Sequence, residues 1–366
     1  MVVSVAAVAI FASGQRLLGL GTGYFAKTGE QKRAIVGASW PLSGQSVLGD
    51  PASSSTLPPI SAGNSGLPGL GGVLSETALG TVAGRQARYD ALLDKPPSVI
   101  FSEWSEVIRR SNPNEMSIVA AALGYALQNQ SDAGIYVDLG DQITNKANSV
   151  TRRMAAIDAL MHAATPEAVT QLLRYLRGTE VWSGGEITKD SPDAQVVSQA
   201  IRALNECSRA LVDGKRNWDA SSPLLSAWNE ISDGTRQDVL RTLSSGITYL
   251  GKPDDIDKFV QAVSQLNQAS ERYKYALGAL EQMGSNDSVG VLAAALQRYD
   301  SNQSLSRAIV RGLLSIGTAD SILHVTLYID RSAVLDSSWR EEINFKLQQS
   351  GRSSPAVAKV LAAWKR

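Results

Sequence analysis

From Lys252 to Trp364 the apolar side chains fall at helical spacing and restart at a fixed interval. Ile256 leads a run through Phe259, Val260 and Val263; Val289 leads one through Leu292, Ala293 and Leu296. Ile322 then leads Val325 and Ile329, and Val357 leads Val360, Leu361 and Trp364. The four lead residues are 33, 33 and 35 positions apart, a period that marks stacked structural repeats. Between these runs lies a second helical stripe with the same step: Ala276, Leu277 and Leu280 return as Ile309, Val310 and Leu313. Each repeat is thus predicted to be two short helices, each with one apolar face.

The same texture extends upstream. Ser149 to Ala164 carries Met154, Ile157, Leu160 and Met161, and Thr165 to Arg177 carries Val169, Leu172, Leu173 and Leu176. Helices are also predicted over 102–110, 115–128, 193–212, 222–231, 235–250, 269–283, 304–316 and 339–349. Residues 178–192 read as a longer loop, and Gly134–Leu139 is the one stretch with ambiguous strand character. Turn chemistry sets the register. Thr165-Pro166, Ser191-Pro192, Ser222-Pro223 and Ser354-Pro355 each put a capping hydroxyl before a proline suited to the first turn. Glu167, Asp254, Asp287 and Asp320 place negative charge at helix starts, and Gly284, Gly317 and Gly351 are placed to end first helices.

The N-terminal part differs. Val2–Phe11 is apolar but short of the roughly 20 residues a bilayer span needs, and Ala12-Ser13-Gly14 offers small residues for signal cleavage. Residues 1–20 read as a signal peptide or membrane anchor, with a buried core segment as the remaining alternative. Residues 21–96 read as a Gly/Pro/Ser-rich disordered tether, because prolines and glycines break regular structure and few bulky residues are available to bury. Gly19, Gly21 and Gly23 lack the strand–turn–helix context of a phosphate loop. Residues 97–366 form the helical domain. This layout places the protein in the periplasm or outside a bacterial cell, possible membrane contact being confined to residues 2–20.

Charge and chemistry add exclusions. Lys+Arg and Asp+Glu number 35 each, so nothing in the totals favours nucleic acid as a partner. The single cysteine, Cys207, has apolar neighbours and reads as a buried thiol. His162 and His324 have no companions at metal-ligand spacing, and neither G-x-S-x-G nor H-E-x-x-H occurs. Asp254-Asp255 and Glu341-Glu342 fit helix starts better than acid–base catalysis. No catalytic residue, metal site or cofactor is expected. Most tryptophans read as packing residues; Trp182, in a Gly-rich loop, reads as an exposed anchor.

Three segments carry a family resemblance: Arg153–Leu160 with Thr165–Val169, Tyr275–Leu280 with Gly284 and Asn286–Val289, and Ala308–Leu314 with Gly317 and Ala319–Ile322. An Ala/Leu-rich helix, a turn of the form Gly-x-x-Asp/Pro-x-Val/Ile and a second apolar helix resemble the HEAT family, in particular the short HEAT-like repeats also found in phycobilin lyases. The likeness spans roughly residues 100–366 and fits residues 178–250 poorly. It implies an all-α chain, an α-solenoid of HEAT-like helix pairs, used most often for protein–protein scaffolding. In such arrays second helices line an extended binding surface on the concave side. Counting outward from Ile256, Val289 and Ile322, the predicted partner-binding rows are Gln171, Lys258 and His324; Arg174 and Gln261; and Gln265, Arg298 and Arg331, with Tyr175 and Tyr328 beside them. A non-enzymatic adaptor for a protein partner is the leading expectation. A membrane-anchored folding helper for one client and an enzyme of the phycobilin-lyase type are the rivals.

Overall fold

In the computed structural model, residues 79, 81–188, 191–212, 214–332 and 335–364 are described. They hold sixteen α-helices. In chain order these are α1 (Val82–Leu93), α2 (Pro97–Arg110), α3 (Pro113–Asn129), α4 (Ala133–Thr144), α5 (Val150–Ala163), α6 (Pro166–Arg177), α7 (Pro192–Arg209) and α8 (Ser222–Glu230). There follow α9 (Gln237–Ile247), α10 (Pro253–Ser264), α11 (Glu271–Glu281), α12 (Val289–Arg298), α13 (Gln303–Ile316), α14 (Ala319–Arg331), α15 (Ser337–Ser353) and α16 (Pro355–Trp364). The chain is all-α apart from a two-residue antiparallel ladder of β1 (Leu211–Val212) and β2 (Lys215–Arg216). None of these helices is long and apolar enough to cross a membrane.

The helices pair in sequence, and contacts run only to near neighbours. Each odd-numbered helix packs on the next odd-numbered one and each even-numbered helix on the next even-numbered one, and chain-consecutive helices such as α2 and α3, α4 and α5, α8 and α9, and α15 and α16 join the two layers. The result is two layers with the core between them. The apolar stripes that the spacing predicts are that core: Ile256, Phe259, Val260 and Val263 of α10 are buried, as are Ile309, Val310 and Leu313 of α13. Each such side chain contributes about 1.5–3 kcal/mol on burial.

The odd-numbered layer is the more tightly stacked. Glycines make that approach possible. A Cβ on Gly124 of α3 would lie 2.7 Å from the Ala159 carbonyl oxygen and the Ala163 nitrogen of α5. One on Gly312 of α13 would meet the Leu280 carbonyl oxygen of α11. One on Gly246 of α9 would lie 3.2 Å from Ser208 of α7 and would also run into Leu224 of α8.

Several local expectations change. Gly134–Leu139 is helix: Asp132 accepts from the Gly134 and Ile135 amides at 3.0 and 3.3 Å, and Ile135, Tyr136, Leu139 and Ile143 are buried on one face of α4. The helical array starts earlier than residue 97, because α1 packs on α3, buries Tyr89 and Leu92, and is tied through Arg88 to Glu103 and Glu115. Of the capping hydroxyls, Thr165, Ser191 and Ser354 accept from amides of their first turns. Ser222 does not; it continues a 3-10 turn and donates instead to Asp255 of α10 at 3.2 Å. Gly317 ends α13 at φ +67, but α11 closes at Gln282 without a left-handed residue. Gly351 lies inside α15, where a Cβ would come within 2.8 Å of Leu361 of α16. Residues 1–20, and residues 21–78 of the tether, lie outside the described residues, as do the glycines at 19, 21 and 23.

Candidate functional site

The rows expected to bind a partner are carried by α6, α10, α12 and α14. Their side chains divide by what the helices' dipoles and neighbours do with them. Tyr175 is inside the molecule, at 5 % exposure. Its hydroxyl accepts from Arg153 Nη2 at 3.2 Å, the guanidinium lies 5.6 Å from its ring, and burial pushes the phenol up to about 12. Tyr175 is therefore a packing residue, not part of an accessible row. Arg153 is itself buried and donates to the Ile143 carbonyl at 2.8 Å and to Asp193 at 2.6 Å, joining α4, α5, α6 and α7. The Arg153 hydrogen bond holds the Asp193 carboxyl below its ordinary range.

Arg174 and Arg298 are exposed but occupied. Each bridges back to the preceding second helix, Arg174 to Asp141 at 3.1 Å and Arg298 to Asp257 at 3.1 Å. Gln171 is half-buried against Gly140 of α4. Lys258 is exposed, with Asp255 of its own helix 3.8 Å away. Gln261 and Gln265 face solvent on α10.

The remaining three residues come together. His324, Tyr328 and Arg331 line one side of a cleft of about 130 Å³ between α12 and α14, facing Ala293, Leu296, Gln297 and Asp300. Leu327 and Ser332 complete it. Ser332 donates to Asp300 at 3.0 Å, and burial, helped by the Asp300 carboxylate, raises the Tyr328 phenol against the opposing hydrogen bonds of Ser332 and Ser306. His324 Nε2 is 3.8 Å from Asp320. Arg331 has no carboxylate within ion-pair distance among the described residues. The sequence reading missed Leu323 and Leu327, which are 43 and 37 % exposed on the same helix. Their signal was present: they form an i, i+4 apolar pair shifted one position from the buried stripe Ile322, Val325, Ile329.

Elsewhere the structure supplies packing roles. Trp182 is half-buried, with the Arg177 guanidinium 5.6 Å from its ring and that arginine bidentate to Glu230, so it is held rather than free. Its loop docks on the one after α8: Thr235 donates to the Trp182 carbonyl and the Arg236 amide to the Val181 carbonyl. Cys207 is fully buried, donates weakly to the Leu160 carbonyl, and is pushed by burial up to about 12; a thiol so rarely ionised is inert. Burial lowers His162 to about 4. Among the described residues no group of three or more His, Cys, Asp or Glu side chains is placed to hold a metal ion.

No family model matches the chain, and no curated protein or solved structure matches it.

Proposed function

We propose that the chain is a HEAT-like α-solenoid serving as an adaptor that binds a protein partner on its second-helix face, without catalysis of its own. The observation that carries this reading is the α12–α14 cleft. Three residues of the expected rows meet there with exposed Leu327, and exposed Leu323 lies one turn earlier on the same helix; apolar area beside unsatisfied charge is what interfaces use. A cleft of about 130 Å³ takes one side chain and falls below the several hundred Å³ of small-molecule sites.

The family resemblance implies second helices on a concave floor. The closer stacking of the first helices instead supports wider spacing among the second helices, so the docking features are clefts between neighbours. Of the ten expected residues, His324, Tyr328 and Arg331 are those this reading retains as a group.

Affinity capture tests it. The full chain is used as bait in a lysate of its native host, beside a variant carrying Leu323→Ser, Leu327→Ser and Arg331→Ala. One protein recovered in fixed ratio by the wild type, and at least tenfold less by the variant, is the expected result. Equal recovery by both, or a coloured small molecule in the eluate in place of a protein, would overturn the reading.

A further inference from the structure

Two successive repeats differ at one informative place. In the first, Arg298 of α12 bridges to Asp257 of α10 at 3.1 Å. Advancing both positions by the 33-residue period gives Arg331 of α14 and residue 290 of α12. The arginine is kept, but its partner position is Gly290. A Cβ built at Gly290 would meet nothing within 4 Å, so the vacant position opens to solvent rather than being filled by another side chain. The carboxylates nearest Arg331 along the chain and across the cleft meet other donors: Asp330 accepts from the Trp364 indole at 3.0 Å and Asp300 from the Ser332 hydroxyl at 3.0 Å.

The surface around the vacancy is apolar where the earlier repeat is charged. The position equivalent to Asp257 and Gly290 on α14 is Leu323, and Leu327 follows one turn later. Both are exposed. Leu327 also forms a wall of the cleft, opposite Leu296 and Ala293. One surface thus combines a cation without its repeat-equivalent partner, an open position where that partner would stand, and a slot sized for one side chain, walled by Leu327, Leu296 and Ala293 on its apolar side and by Asp300, Gln297 and His324 on its polar side.

Resting on the adaptor reading, we infer that the α12–α14 trough docks a segment of a protein partner carrying an Asp or Glu within about one helical turn of a large apolar residue. The partner's carboxylate pairs with Arg331 in the place Asp257 holds for Arg298, and the apolar residue enters the cleft. Charge complementarity decides between possible occupants: Arg174 and Arg298 are neutralised within the array, whereas Arg331 is not. A partially desolvated arginine–carboxylate pair beside an apolar anchor is the kind of contact that dominates interface energy.

The test is selection of random 16-residue peptides, displayed on phage, against the full chain. Enriched peptides are expected to carry an acidic residue within four positions of Leu, Phe or Trp. A synthetic version should bind Arg331→Glu at least tenfold more weakly than wild type, and its acidic-to-Lys version should bind Arg331→Glu better than wild type. Gly290→Asp should also weaken binding at least tenfold, by restoring the internal ion pair. That aspartate lies in the first turn of α12, where the helix dipole favours it, so an unchanged or raised melting temperature separates competition from misfolding. Enriched peptides with no acidic residue, or binding indifferent to both substitutions, would overturn the inference. If both variants also capture one host protein in fixed ratio, the adaptor reading survives that failure; if no protein is captured at all, both fall.

Discussion

His162 shows how one half-buried side chain ties stability to pH. It sits on α5 where α3 comes closest, so that a Cβ on Gly124 would be 2.5 Å from its own Cβ. Burial lowers its folded-state pKa to about 4 from an ordinary 6.5. The folded chain therefore keeps it neutral while the unfolded chain takes up a proton below pH 6.5. Its contribution is complete above about pH 6.5 and is lost as pH falls toward 4, on the order of 3 kcal/mol in all. Asp158, one turn earlier, works the other way. Burial holds its carboxyl above the usual range although Gln199 donates to it at 2.6 Å, so protonation in acid relieves a cost. Urea denaturation across pH 4–7 is expected to show a flatter acid decline for His162→Leu and a steeper one for Asp158→Asn. An unchanged slope in His162→Leu would remove the assignment.

At the scale of elements, the same substitution is expected to act with opposite signs in the two layers. Gly124→Ala gains about 1 kcal/mol in helix propensity, but its methyl must displace the backbone of α5. Overpacking of this kind costs about 1–3 kcal/mol, so a net loss is expected. Gly290→Ala meets open space and should gain about 0.5–1 kcal/mol. Chemical denaturation of the two single variants measures both. The glycines explain why odd-numbered helices stack closely while clefts remain between even-numbered ones. Arg153 belongs to this scale as well: buried with Asp193, Tyr175 and the Ile143 carbonyl, it is a joint between pairs, and such buried arginines hold elements in register once every donor is matched.

Over the whole helical unit, stability should vary with position. Because helices touch only their near neighbours, the array is expected to behave as a chain of coupled pairs rather than one cooperative block. Contact is densest among α3, α5 and α7, and within the odd-numbered layer it is sparsest between α13 and α15. Amide hydrogen exchange is therefore expected to protect α3, α5 and α7 most and to release α15 and α16 first, at an opening free energy several kcal/mol lower. Uniform protection across all sixteen helices would contradict neighbour-limited coupling. The docking proposal sits between these extremes, in α12 and α14, whose contacts on both sides hold the cleft in shape.

Much of this was legible in the residues. Periodic apolar positions determine which face of α10 or α13 is buried, because burial follows side-chain chemistry and helical geometry. Thr165-Pro166 and Ser354-Pro355 mark helix starts because capping is local. Gly134–Leu139 stayed ambiguous because its tight apolar cluster resembles a strand until Asp132 is seen to cap it. Tyr175 and Arg331 could not be told apart by counting: periodicity names an outward row but not what neighbouring helices bring to it. Arg153 arrives from α5 and covers the tyrosine. Among the described residues no carboxylate arrives for Arg331, and the position equivalent to the Arg298 partner Asp257 is Gly290. The 33-residue step and the helix pairs are thus properties of the sequence itself. Which first helices crowd together, which arginines are neutralised, and where a cleft remains were decided only by tertiary packing, since each depends on distances between residues about 20–40 positions apart in the chain.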